Sequence, residues 1–297
     1  MKNNLNTNKI LILGASGRVG KEIYKILKNN FPDSKNNIFG TYHNKKNDHL
    51  EHLDLNDLSE IKNIFKTIQP NILIHTAGMI YPIECEENQD LAWNVNVIGT
   101  KNIVECCKKY NCKLVYLSSD YVFDGIENIY DESHVVNPIN FYGKTKSESE
   151  KLVLDLEDSL IVRTAWVNDY DKNSKSFVMQ VINSLNNKNF FNAPSDQFGH
   201  PTLSHNLAEI VIELIHKKST GIFNVAGLTF IDRYNFAKKI AETFSLDSSF
   251  IHEVSTAELH QPIKRPSRIQ LDFKKIQSTV STKLLTLEEQ LEYIKNF

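Results

Sequence analysis

A doubly wound α/β fold with a smaller mixed region at its C-terminal end is what this sequence predicts, and three observations lead there. Short apolar runs alternate with amphipathic stretches through the first half of the chain. Those runs are apolar throughout, without polar residues at every second position. Three glycines, Gly14, Gly17 and Gly20, follow the first run directly. Non-alternating strands are buried on both faces, as in a parallel sheet covered by helices. Right-handed crossovers then favour the doubly wound, Rossmann-type topology.

Taken in order, Lys9–Leu13 reads as a buried strand and Arg18–Asn29 as a helix with Val19, Ile23, Ile26 and Leu27 on one face. Ile38–Tyr42 is a second strand, and Asp57–Thr67 a helix turning Ile61, Ile64, Phe65 and Ile68 inward. Ile72–His75 is the third clear strand, followed by one long helix around Leu91–Tyr110. Lys113–Ser118 is a further strand, with a long loop and then a helix from Tyr142 to about Leu156. Leu160–Arg163 completes the series. Beyond Thr164 the rhythm changes. Helices over Ser176–Leu185, Leu203–His216 and Ile231–Phe244 are separated by loops holding Pro194, Gly199, Pro201, Gly221 and Gly227. Short strands are expected at Ile222–Val225 and Phe250–Val254, laid over the carboxyl ends of the first half's strands, where binding crevices lie in open parallel sheets.

Bulk properties narrow the function classes. A formal net charge of -2 over 297 residues gives no basic excess for nucleic acid or an anionic membrane. The opening MKNNLNTNK lacks a signal peptide's apolar core. Apolar runs are strand-length, far below the roughly 20 residues of a membrane span. Cys85, Cys106, Cys107 and Cys112 lack metal-site spacing and read as reduced, half-buried thiols. The expectation is a soluble cytoplasmic protein without a metal site.

GASGRVG, Gly14–Gly20, stands between a predicted strand and a predicted helix. Glycines there allow a tight turn and bring the backbone close to a pyrophosphate at the helix N-terminus, where free N–H groups and the helix dipole favour anions. A dinucleotide-binding domain is therefore expected over residues 1–165, recruiting later segments, with a smaller substrate-binding region over 166–297. NAD-selective sites place an acid at the end of the second strand. Here that strand ends Gly40-Thr41-Tyr42-His43-Asn44-Lys45-Lys46 with no carboxylate, and Arg18 has the geometry to meet a 2′-phosphate. NADP is favoured over NAD.

Tyr142 and Lys146 stand one helical turn apart on a common face. A tyrosine titrates near 10 when free, and an adjacent ammonium favours its phenolate. The expectation is a Tyr142 phenol lowered by about two or three pH units, which requires roughly 3–4 kcal/mol from the Lys146 ammonium together with the positive charge of an oxidised nicotinamide. Ser119, at a strand's carboxyl end, would hold a carbonyl oxygen for protonation.

The glycine turn, LSSDYVFDG (Leu117–Gly125), FYGKTK (Phe141–Lys146), RTAWV (Arg163–Val167), SDQFGHPT (Ser195–Thr202) and KRPSR…LD (Lys264–Arg268, Leu271-Asp272) occur together and in order. That set resembles the extended short-chain dehydrogenase/reductases, in the branch of dTDP-4-dehydrorhamnose reductase, over most of the chain. The resemblance implies Ser119, Tyr142 and Lys146 as the catalytic set, with Lys146 also a ribose ligand. Gly14, Ser16, Gly17, Arg18, Val19 and Gly20 would cradle the cofactor phosphates. Tyr42, the pair Asp54-Leu55 and the turn Ala77-Gly78-Met79 would line its adenosine side. Asp120, Tyr121 and Trp166 would line the sugar, and Arg265 would meet the nucleotide diphosphate.

Three departures stand out. Ile83 replaces an acid that relatives often carry, while Glu86 is present. The second strand's end differs from reductases that accept NADH. The polar stretch Val167–Lys175 is expected to reshape the sugar pocket. The implied activity is NADPH-dependent reduction of a nucleotide-linked 4-keto-6-deoxyhexose, in a homodimer. Alternatives are a superfamily epimerase or dehydratase, although the dehydratase acid is missing because Tyr121 follows Asp120. A third is an NADP-binding regulatory subunit resembling that of methionine adenosyltransferase.

Overall fold

The computed structural model describes residues 8–30, 37–44 and 46–297; the polar start and Lys45 lie outside them. In chain order the first half runs β1 (Ile10–Leu13), α1 (Arg18–Asn30), β2 (Ile38–Tyr42), β3 (Glu51–His52), α2 (Leu58–Ile68), β4 (Ile72–His75), α3 (Pro82–Glu87) and α4 (Gln89–Trp93). A π-helical turn (Asn94–Ile98) leads into α5 (Gly99–Tyr110). Then come β5 (Lys113–Ser119), a 3₁₀ turn (Asp120–Val122), α6 (Phe141–Leu154) and β6 (Leu160–Thr164).

The second half holds β7 (Val167–Asn168), α7 (Phe177–Asn186), β8 (Phe191–Pro194), β9 (Phe198–Gly199), β10 (Thr202–Leu203), α8 (Ser204–His216) and β11 (Gly221–Asn224). It continues with β12 (Ile231–Asp232), α9 (Arg233–Thr243), β13 (Ile251–Val254), α10 (Lys274–Thr279) and α11 (Leu287–Lys295).

Seven strands form one parallel sheet in the order β11-β6-β5-β4-β1-β2-β3. Side chains alternate across a strand, so β1 sends Ile10 and Ile12 to one face and Leu11 and Leu13 to the other. The first face packs with Ile23, Leu27, Leu207 and Val211 of α1 and α8. The second packs with Ile61, Phe65 and Ile103 of α2 and α5. Fully burying such a side chain contributes about 1.5–3 kcal/mol, and β1 buries all four of its residues.

Strand order reverses between β1 and β4, and the crevice beyond their carboxyl ends is where such sheets bind ligands. A separate core of Val178, Phe236, Ile240, Leu287 and Leu291 joins α7, α9 and α11. The two-stranded pairs β7–β10, β8–β13 and β9–β12 lie in this second half.

Two expectations need correction. The strand series does not end at Arg163, because Gly221–Asn224 pairs in parallel with Leu160–Arg163 as the sheet's edge. The long helix expected around Leu91–Tyr110 is interrupted: α4 and α5 are separated by the π turn over Asn94–Ile98. Among the described residues, no helix is long and apolar enough to cross a membrane. All four cysteines are buried and free.

Candidate active site

At Gly14 the chain adopts φ +80°, and an added Cβ would sit 2.9 Å from the Ala77 backbone. Gly20 is tighter still: a Cβ there would lie 2.2 Å from the Gly14 carbonyl oxygen. Glycine at these two positions therefore lets α1 begin directly against the ends of β1 and β4. The Gly17 N–H closes the turn on the Gly14 carbonyl at 2.9 Å, and the Thr41 hydroxyl accepts from the Gly14 N–H at 3.2 Å. Ser16, Gly17, Arg18 and Val19 keep solvent access at the start of a thirteen-residue helix, with first-turn N–H groups and the positive dipole end facing outward. A turn this tight, opening onto exposed helix-start N–H groups, suits the close approach of an anionic pyrophosphate.

Across the crevice, Ala77-Gly78-Met79 forms the turn after β4. Asn96, a residue the sequence did not flag, holds it. Its side-chain oxygen accepts from the Met79 N–H at 2.8 Å, and its amide donates to the Met79 carbonyl at 3.0 Å and to the Thr145 hydroxyl at 3.0 Å. Gly78 has φ +151°, and a Cβ there would meet the Asn96 oxygen at 2.7 Å. The π turn explains why Asn96 has a spare carbonyl. An i→i+5 step breaks the regular ladder, and that oxygen accepts from Thr100 at 2.6 Å and from Ser149 at 2.9 Å. No hydrophobic period marks such a turn, so an asparagine inside an apolar helix was the only available signal.

Helix α6 turns an unusual stripe inward: Tyr142, Thr145, Lys146, Ser149, Glu150 and Val153 are all buried. That spacing is helical, yet the face is polar. Asn140 caps the helix, accepting from the Gly143 N–H at 2.9 Å, and Glu86 accepts from the Phe141 N–H at 3.0 Å. A carboxylate at a helix N-terminus is favourable, so Glu86 anchors the start of α6. Lower on the same face, Glu150 meets Arg163 through two nearly parallel bonds, at 3.0 and 2.7 Å, and also accepts from Ser118. This buried pair ties α6 to β5 and β6.

These anchors bring Tyr142, Lys146 and Ser119 together. Lys146 donates to the Leu117 carbonyl at 2.6 Å, and its ammonium lies 4.2 Å from the Tyr116 ring centroid. Ser119 donates to Asp120 at 3.0 Å and accepts from the Tyr121 N–H at 3.2 Å. Tyr121 and Tyr142 meet edge to face, 5.9 Å apart. The Lys146 ammonium does not by itself lower the Tyr142 phenol. Burial pushes it up to about 12, and the pull of Lys146 and Ser119 only partly offsets this. Lys146 itself is lowered by burial, against the opposing influence of Tyr142 and Glu150. The result is a protonated phenol beside an ammonium, the form a proton donor requires. Asp120, also fully enclosed, is raised by burial to about 7, with Ser119 and Arg233 opposing.

Arg18 stands at the start of α1, at the glycine turn. Its guanidinium is engaged by protein groups beside that turn. It bonds Asp169 at 3.2 Å, the Val167 carbonyl at 3.0 Å and Ser174 at 3.4 Å. Lys21–Asp171 at 3.3 Å and Tyr170–Glu22 at 2.7 Å continue the contact. The polar stretch Val167–Lys175 is therefore strapped along α1 at the glycine turn. Tyr42, partly exposed at the end of β2, meets His52 edge to face at 5.5 Å. Asp54 lies 3.9 Å from His43, and Leu55 is buried.

Just after β6, Trp166 has φ +37°. Its ring lies where a Cβ on Gly199 would come within 2.5 Å, and Arg233 lies 3.6 Å from its centroid. Arg265 donates to the Tyr121 hydroxyl at 2.9 Å and to Gln261 at 2.5 Å. Ser119, Tyr142, Lys146, Asp120, Tyr121 and Arg265 thus form one connected group, with Trp166 joined to it through Arg233. Sequence reasoning missed Arg233, whose partners come from distant segments.

With this geometry in hand, likeness to known proteins can be stated. The family model described as RmlD substrate binding domain matches residues 8–296. The dTDP-4-dehydrorhamnose reductase of Aggregatibacter actinomycetemcomitans is 28% identical over 97% of this chain and 99% of its own length. Methionine adenosyltransferase 2 subunit beta of Xenopus tropicalis is 30% identical over 91% of this chain and 81% of its own length. Among solved structures, dTDP-4-dehydrorhamnose reductase from Bacillus anthracis in complex with NADP superposes with a TM-score of 0.87. It is 29% identical, covering 97% of this chain and 99% of that one.

Proposed function

The chain belongs to the RmlD substrate binding domain family, and from that membership we propose that it is an NADPH-dependent reductase. Its substrate is a nucleotide-linked 4-keto-6-deoxyhexose, as in dTDP-L-rhamnose synthesis, and the 4-keto group becomes an alcohol. The observation that supports this most is the convergence of Tyr142, Lys146 and Ser119 at the ends of the strands beside the glycine turn.

The Gly14–Gly20 turn would hold the cofactor phosphates, and Ala77-Gly78-Met79, Tyr42, Asp54 and Leu55 its adenosine side. When bound there, NADPH would supply the hydride for the carbonyl carbon. Ser119 orients the carbonyl oxygen by hydrogen bonding, and Tyr142 gives up its phenolic proton to that oxygen as negative charge develops. The Lys146 ammonium stabilises the tyrosinate left behind. Asp120, Tyr121 and Trp166 line the sugar, and Arg265 meets the nucleotide diphosphate. The reading includes a cytoplasmic homodimer.

Incubation with NADPH and dTDP-4-keto-6-deoxyglucose or its L-lyxo epimer, followed by chromatography and mass spectrometry, tests the activity. Equal amounts of NADP⁺ and reduced deoxysugar nucleotide are expected. A second reading, a regulatory NADP-binding subunit, is favoured by the likeness to the methionine adenosyltransferase subunit. Tight NADPH binding with no reduction of either ketosugar would select it. The conjunction of a protonated Tyr142 with Lys146 and Ser119 supports chemistry instead.

A further inference from the structure

Arg233 opens α9, and its guanidinium carbon packs against two aromatic rings, 3.6 Å from the Trp166 centroid and 4.6 Å from that of Phe177. Such stacking holds the stem and plane of a guanidinium while leaving its edge N–H groups free to donate. Among the described residues it has no side-chain hydrogen bond or ion pair. The residue keeps partial solvent access although protein atoms crowd it closely, which places it in the wall of a crevice.

That wall belongs to the site already described. Burial first, and then the charge of Arg265, lower Arg233 to about 10, against Tyr121 and Asp120. Arg265 is no better compensated, because both of its side-chain bonds go to neutral groups, Gln261 and the Tyr121 hydroxyl. Asp120, whose charge reaches Arg233, is raised by burial to about 7 and so compensates it only in part near neutral pH. Two cations within electrostatic reach, without a carboxylate ion pair between them, repel one another. A fold tolerates that arrangement where an anion of matching charge arrives to bridge the pair.

We propose that Arg233 is a substrate-binding residue that grips the diphosphate of a nucleoside-diphosphate sugar jointly with Arg265. Trp166 and Phe177 fix its plane, so the fork is in position before the ligand binds. This assignment rests on the reductase reading for the ligand's identity, but the diphosphate grip can be measured without turnover.

Calorimetric titration of the NADP-loaded protein with dTDP tests it directly. Arg233→Met keeps an apolar stem between the rings and removes the charge, and Arg233→Lys keeps the charge without the fork. Wild type is expected to bind dTDP. Arg233→Met should weaken that binding roughly 10- to 100-fold, as the loss of a charge-assisted bond predicts, with Arg233→Lys intermediate. NADP affinity and melting temperature, measured on the same samples, should stay near wild type and so certify folding. Unchanged dTDP affinity in Arg233→Met, or no dTDP binding by wild type, overturns the proposal. If wild type binds dTDP through Arg233 yet reduces no ketosugar, the grip stands and the reductase reading falls.

Discussion

Around Tyr142 burial outweighs the pull of the Lys146 ammonium and keeps the phenol protonated, the state from which a donor acts in the reductive direction; the lowering expected with an oxidised nicotinamide would need that second positive charge as well. Periodicity reports which side chains share a face but not how dry the face is. Asp120 shows the same effect with a measurable consequence. Its carboxyl is raised by burial from the ordinary carboxylate range to about 7. A group whose folded-state pKa is raised binds its proton more tightly in the native state. Its stabilising contribution is therefore complete below about pH 4 and is lost as pH rises through 7. Asp120→Asn removes that dependence. Denaturant unfolding at pH 5 and pH 8 should show wild type losing a few kcal/mol (about 2–4) more than the variant between the two. Parallel losses would mean that Asp120 ionises normally.

Among the elements, the π turn and the strap on α1 do work that a helix-and-strand reading does not register. Asn96 satisfies both backbone groups of Met79 and bonds the Thr145 hydroxyl. Asn96→Ala would leave several buried groups unpaired, costing roughly 2–4 kcal/mol. Urea unfolding should show that loss together with weaker NADPH binding, since the Gly78–Met79 turn relaxes. Arg18 ties α1 to the stretch after β7 by three side-chain bonds, a group whose net worth is about 1–2 kcal/mol. Arg18→Met should therefore speed tryptic cleavage at the exposed Lys172 and Lys175 by roughly 5- to 30-fold. An unchanged rate would show that the strap is held by other contacts. The glycine spacing, Ser119, Tyr142 and Lys146 were legible because each sits at a fixed offset from a strand or within one helical turn. Asn96 was not, because an i→i+5 insertion leaves no period, and Arg233 was not, because Trp166 and Phe177 reach it only through tertiary folding.

At the scale of the whole molecule, strand–helix alternation placed five of the seven sheet strands; it missed the two-residue β3 and read Ile222–Val225 as a short strand without its place in the sheet. Its pairing with β6 and the packing of α8 on α1 are long-range facts that local pattern cannot carry. They mean that the first 165 residues lack a sheet edge and the helix covering Ile23 and Leu27. A fragment of residues 1–165 is expected to lack cooperative thermal unfolding and to show collapsed amide dispersion by NMR. A well-dispersed spectrum would show instead that this half folds alone. The same architecture brings the glycine turn, the catalytic helix and the C-terminal cations to one edge of the sheet, where a dinucleotide and a nucleotide sugar would meet. The central claim is that Tyr142 delivers the proton that completes ketone reduction. Single-turnover oxidation of enzyme-bound NADPH by a dTDP-4-keto-6-deoxyhexose, in wild type and Tyr142→Phe, tests it most directly. Wild type should oxidise the cofactor and the variant should do so about 10²–10⁴-fold more slowly with NADPH affinity unchanged, whereas equal rates in the two proteins would contradict the account.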